Sequence, residues 1–125
     1  MNIEEFRDYC LAKPAASESF PFDDNVLVFK VMGKIFALTS MQGDFSINLK
    51  CDPERALRIR MRYPAISPGF HMNKKHWNTI LVDGSLDDSF IRALIDHSYD
   101  LVVARLTKSQ RGAIQELINN EERLQ

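Results

Sequence analysis

Seven basic side chains, Lys50, Arg55, Arg58, Arg60, Arg62, Lys74 and Lys75, crowd residues 50–76, which hold only two acidic ones, Asp52 and Glu54. This segment carries a net +5, while residues 1–49 and 77–125 carry −3 each and the whole chain −1. A polyanion responds to local charge rather than to the total. If residues 53–62 are helical, Arg55, Arg58 and Arg62 fall on one stripe at i, i+3 and i+7. Two turns of helix span roughly 10 Å, a reach that matches successive phosphates of a nucleic-acid backbone. Arg60 points away from that stripe. The competing reading is a solvated helix face, with Arg55 paired to Asp52 or Glu54.

A second group follows in His71-Met72-Asn73-Lys74-Lys75-His76-Trp77. Lys74 and Lys75 supply charge, Asn73 and Asn78 have amides able to read base edges, and Trp77 either stacks on a base or anchors a strand in the core. The candidate nucleic-acid contacts are thus Lys50, Arg55, Arg58, Arg62, His71, Asn73, Lys74, Lys75 and His76. The same loop supports an alternative, a protein-interaction or small-ligand module without catalysis. Tyr63, Phe70, His71, Met72 and Trp77 would then form a pocket wall with few polar groups.

Other chemistries lack their residues. His71, His76 and Cys51 match no zinc spacing and have no fourth ligand, so no metal is expected. The chain has no glycine-rich phosphate loop, no G-x-S-x-G elbow and no H-E-x-x-H. The acidic pairs Glu4/Glu5, Asp23/Asp24 and Asp87/Asp88 are accounted for by helix starts and loops. We expect neither an enzyme nor a cofactor. No apolar run approaches the ~18 residues of a membrane span, and the first residues lack the basic and apolar regions of an export signal. A cytoplasmic monomer with Cys10 and Cys51 reduced is the expectation.

The elements that must position these residues are legible in outline. Asn2 and Glu5 form a capping box ahead of a first helix striped by Ile3, Phe6 and Cys10, which ends near Pro14. Residues 15–24 read as an irregular connection. Three alternating strands follow, near 26–31, 35–41 and 45–50, joined by turns at Gly33-Lys34 and Gln42-Gly43. Asp52-Pro53-Glu54 opens the arginine helix and Pro64 closes it. Pro64, Pro68 and Gly69 predict a rigid loop, before a fourth strand over 77–82. Ser85 with Asp88, and Thr107 with Gln110, predict the starts of two final helices. The sum is an α+β fold: a two-layer domain with an antiparallel four-stranded sheet and helices on one face. One domain covers 1–118, with a polar tail over 119–125.

Short stretches along the chain also resemble the MmcQ/YjbR family of small bacterial proteins. They include Phe20-Pro21-Phe22, Val28-Phe29-Lys30-Val31, Leu49-Lys50-Cys51-Asp52-Pro53-Glu54, Tyr63-Pro64, Pro68-Gly69-Phe70-His71-Met72-Asn73-Lys74, His76-Trp77-Asn78-Thr79 and Asp83-Gly84. The resemblance spans roughly residues 1–115. Ala65 and Phe70 stand where relatives often have Gly and Tyr. The resemblance implies a compact α+β domain similar in layout to secretion-chaperone and frataxin-like folds. It also implies DNA binding, with hairpins acting as a pair of wings. That function attaches to a fold by analogy.

Overall fold

Helix starts and strand alternation set the local structure. In a computed structural model describing residues 1–124, the chain runs α1 (Ile3–Leu11), β1 (Ala16–Ser19), β2 (Val26–Val31), β3 (Lys34–Ser40), β4 (Ser46–Lys50), α2 (Pro53–Arg62), β5 (Ile66–Pro68), β6 (Trp77–Leu81), α3 (Asp88–Ala104) and α4 (Lys108–Leu124). The capping boxes at Asn2/Glu5 and Thr107/Gln110 both form, and Asp52 accepts from the Arg55 amide.

The sheet has six strands in the order β1-β2-β3-β4-β6-β5, all neighbours antiparallel, not the four expected. The two additional strands, β1 and β5, are both edges. Each is too short to display a period-2 pattern, and each is extended because it hydrogen-bonds to a neighbour. Pro68 sits in β5, where an edge position tolerates its missing N–H. The first hairpin turn is Met32-Gly33, one residue earlier than expected, with both residues at positive φ as a two-residue turn of the favoured hand requires. Asp87, not Ser85, is the N-cap of α3, because the Asp83 carboxylate holds the Ser85 amide in a preceding turn. Helix α4 continues past Ile118 through Leu124.

One sheet face is covered by helices. Leu27, Phe29, Ile47, Leu49, Ile66 and Ile80 form a single core with Phe6 of α1, Ala56 and Ile59 of α2, and Ile91, Leu94 and Ile95 of α3. A bulge in the β2–β3 pairing leaves Phe36 as the additional residue, and its ring packs edge-on to Tyr99 of α3. The buried Ser98 hydroxyl stitches α3 to the sheet. It donates to the Phe36 carbonyl and accepts from the Lys50 amide at 2.9 Å. Cys10 and Cys51 are both buried and unbonded, and burial raises the pKa of both thiols.

His97 of α3 ties the arginine helix to the same layer. Its Nε2 accepts the Asp52 amide hydrogen at 3.1 Å, a bond that needs the neutral ring. Burial lowers its pKa most, with Arg55 adding to the effect, while Asp52 and Asp100 oppose it. The unfolded chain therefore binds more protons once pH drops below the ordinary value of 6.5, so stability is complete above that pH and falls below it. His97→Gln keeps an acceptor but cannot titrate. Urea midpoints measured from about pH 7 down to about pH 5 should decline more steeply for the natural chain than for this variant. Parallel declines would show that His97 is not linked to folding.

Candidate functional site

Strand alternation divides the basic segment's contacts between two sheet faces. Asn78 and Ile80 of β6 point to the helices, while Thr79 and Leu81 point to the open side. Arg60 projects from α2 toward that buried side and acts as a clamp. Its Nε donates to Asn78 Oδ1 at 2.6 Å, and one terminal nitrogen donates to the carbonyls of Lys74 and, at 3.2 Å, Trp77. A guanidinium suits this position because its planar fork aims several N–H groups at fixed angles. Asn78 is only 1% exposed, so its expected access to base edges is overturned. Its Nδ2 is buried without a partner among the described residues.

The loop between β5 and β6 is closed from within. Lys74 Nζ donates to the Gly69 carbonyl at 3.0 Å, and Asn73 Oδ1 accepts from the Lys75 amide at 2.9 Å and the His76 amide at 3.3 Å. Gly69 donates to the Trp77 carbonyl, and the His76 carbonyl accepts from Cys51. Lys74 and Asn73 thus have structural work inside the loop, whereas Lys75 has an exposed side chain with no ion pair among the described residues. Trp77 is half-buried rather than fully in the core.

Arg58 and Arg62 are exposed on α2 and Arg55 is half-buried. Among the described residues, none of the three forms an ion pair with Asp52, Glu54 or any other acid. Arg62 lies over the Tyr63 ring, 5.5 Å from its centre. Leu57 and Met61 on the same helix are 59% and 90% exposed, so an apolar strip left largely uncovered by the described residues runs alongside the arginines. By holding the Lys74 and Trp77 carbonyls, Arg60 keeps the 73–77 loop alongside this helix.

Three expected contacts are placed differently. Lys50 lines a depression of about 500 Å³ at the C-terminal end of α3, with Lys34, Trp77 and Arg105. Burial, and secondarily Arg105, lowers its pKa. His71 lies on the open face with its ring 4.0 Å from that of Phe70. His76 is half-buried and is held through its backbone. No group of three or more His, Cys, Asp or Glu among the described residues is arranged to hold a metal, and no helix among them is long and apolar enough to cross a membrane.

The architecture is thus that of a small α+β domain whose helical layer carries a basic helix and a clamped loop. The YjbR family model matches residues 11–101, the whole of this segment included, and the chain belongs to that family. It is 38% identical over 112 residues to YbdF of Escherichia coli O157:H7, covering 89% of this chain and 92% of that protein. Against YjbR of Escherichia coli K12 it is 36% identical over 118 residues, covering 94% and 100%. Both are described as uncharacterised. The crystal structure of Deinococcus radiodurans DR2400, domain DUF419, superposes with a TM-score of 0.85 at 39% identity, covering 91% of this chain and 88% of that one.

Substitutions at two positions test the clamp. Arg60→Met should destabilise the fold by about 2–3 kcal/mol, since it leaves buried oxygens facing no donor; Arg60→Lys should recover little, having no fork. A Cβ at Gly69 would stand 2.8 Å from Trp77 Cβ and 3.0 Å from the Trp77 carbonyl. Gly69→Ala should therefore cost about 1–3 kcal/mol by overpacking. Urea denaturation reads both, and near-neutral values would remove the clamp from the account of this fold.

Proposed function

We propose that this domain binds double-stranded DNA through the exposed face of α2 and the adjoining 73–77 loop. The observation that carries the reading is the stripe of Arg55, Arg58 and Arg62, unpaired among the described residues and set in a +5 segment of an otherwise acidic chain. An arginine already matched to a carboxylate has little to gain from a phosphate, whereas these three retain their full capacity. The stripe is about 10 Å long, a reach that spans neighbouring phosphates of one strand. Lys75 extends it. Lys74 contributes charge from a fixed position, and Asn73 and His76 frame the loop rather than entering a groove. Lys50 and His71 stand outside this face and have no part in the reading.

Contacts of this kind are mostly to the backbone, so affinity is expected to be weakly sequence-dependent and strongly salt-dependent. Four neutralised phosphates predict that log K falls against log salt with a slope near −4. Arg58→Glu with Arg62→Glu, both at exposed positions, should weaken binding at least about tenfold and flatten the slope by about 2, at a stability cost of about 1 kcal/mol from the lost Tyr63 contact and the helix C-terminus. Fluorescence anisotropy with a labelled duplex measures both. Absence of binding at about 100 μM protein in low salt, the weak end of non-specific association, or a slope unmoved by the double variant, would remove this reading.

A further inference from the structure

Among the described residues, no helix covers the sheet's other face. Strand register places Val28, Leu38, Asn48, Thr79 and Ser67 in one row across five strands, pointing away from the core. The chain between Pro64 and Met72 walls one side of this row and Phe22 another, bordering a half-open cavity of about 850 Å³. That volume lies within the range of small-molecule sites, about 300–1,000 Å³.

Three properties of the lining define an occupant. None of its fourteen residues is an acid, a lysine or an arginine. Apart from His71 at the exposed rim, the lining offers a charged ligand no partner for the hydration it would lose, which favours a neutral occupant. Phe22 and Phe70 at its mouth are each 68% exposed, and His71 is tilted against Phe70. Aromatic rings held open to water at a cavity mouth suit a planar ring system that stacks between them.

The third property is a directed donor. The Phe70 amide donates to Thr79 Oγ1 at 2.9 Å, and that hydroxyl donates its single proton to Asn48 Oδ1 at 2.6 Å. This relay fixes the Asn48 amide with its oxygen occupied and its Nδ2 without an acceptor among the described residues. Asn48 is 8% exposed. Its Nδ2 is nevertheless not sealed in protein, since the fully buried unpartnered side-chain atom among the described residues is Asn78 Nδ2. A donor remains at the floor of an uncharged, apolar cavity.

We propose that this cavity binds neutral, planar, polycyclic aromatic ketones, stacked on Phe22 and Phe70 with the carbonyl oxygen accepting from Asn48 Nδ2. The site lies on the sheet face opposite α2 and is independent of the DNA reading. Three fluorenes test it: fluorenone, fluorene without the carbonyl, and 9-oxofluorene-2-carboxylate with a charge. Titration into the ¹⁵N-labelled full chain should show fluorenone shifting the Asn48 side-chain amide and the Phe70 and Met72 backbone amides. Fluorene should bind about tenfold more weakly, the worth of one hydrogen bond, and the carboxylate should not bind. Asn48→Asp keeps the acceptor for Thr79 and removes the donor, so the preference for the ketone should vanish. Ser67→Trp, at an exposed edge-strand position, should fill the cavity and abolish fluorenone binding in a chain that still folds. Equal affinity for fluorene and fluorenone, shifts confined to other surfaces, binding that survives Ser67→Trp, or absence of binding would overturn the proposal. So would dilution-dependent shifts of the cavity amides without ligand, which would place a second copy of the chain on this face.

Discussion

The organisation of the 60–80 region depends on one guanidinium facing three oxygens. Arg60 is half-buried, and a charge in that position is tolerated only when its N–H groups meet acceptors. The acceptors come from one turn of loop and the start of β6: the Lys74 and Trp77 carbonyls and the Asn78 side chain. Helix α2 therefore cannot shift against the sheet without exposing those oxygens, and the loop cannot lift from α2. The unpartnered Asn78 Nδ2 shows that the arrangement is not fully satisfied. Its oxygen is committed to the cation, and the remaining nitrogen meets no acceptor.

Strand alternation then separates two kinds of surface. Asn78 and Thr79 are adjacent, yet their side chains leave β6 on opposite faces. Asn78 meets Arg60 under the helical layer, where the arginines of α2 also lie. Thr79 meets Asn48 on the open face, where the lining carries no fixed charge. Charge and apolar space are thus kept apart by the thickness of a sheet. A polyanion approaching α2 and a neutral ligand entering the cavity would not compete for the same atoms. Gly69, Phe70 and Thr79 link the two, since the loop held by Arg60 on one side also forms the cavity wall on the other.

Much of this was legible before any coordinates. Three helix starts were marked by capping residues whose hydrogen bonds form as their spacing predicts, at Asn2, Asp52 and Thr107. Strands β2, β3, β4 and β6 announced themselves by alternation, and the alternating Leu27, Phe29, Ile47 and Leu49 all face the core. The edges were not legible. Ala16–Ser19 and Ile66–Pro68 are too short for a periodic signal and contain residues typical of turns; they are strands because β2 and β6 offered unpaired backbone groups. Ser85 has the spacing of a cap but does not serve as one, because Asp83, two residues earlier, holds its amide in a turn.

The functional segment shows the same boundary. Sequence alone determined that positive charge concentrates in residues 50–76 and that Arg55, Arg58 and Arg62 share a helical stripe, because both follow from composition and the 3.6-residue period. Tertiary structure decided which polar groups remain free. Arg60, set aside by the periodicity, became the clamp on Asn78, while Lys74 and Asn73 were drawn into the loop's own hydrogen bonds. Lys50 was carried to another surface. The open-face cavity belongs wholly to this second category: its floor joins residues from five strands, and only register brings Leu38, Asn48, Thr79 and Ser67 into one row. Spacing along a chain fixes local faces, but the partners across a sheet are chosen by long-range pairing that no local pattern encodes.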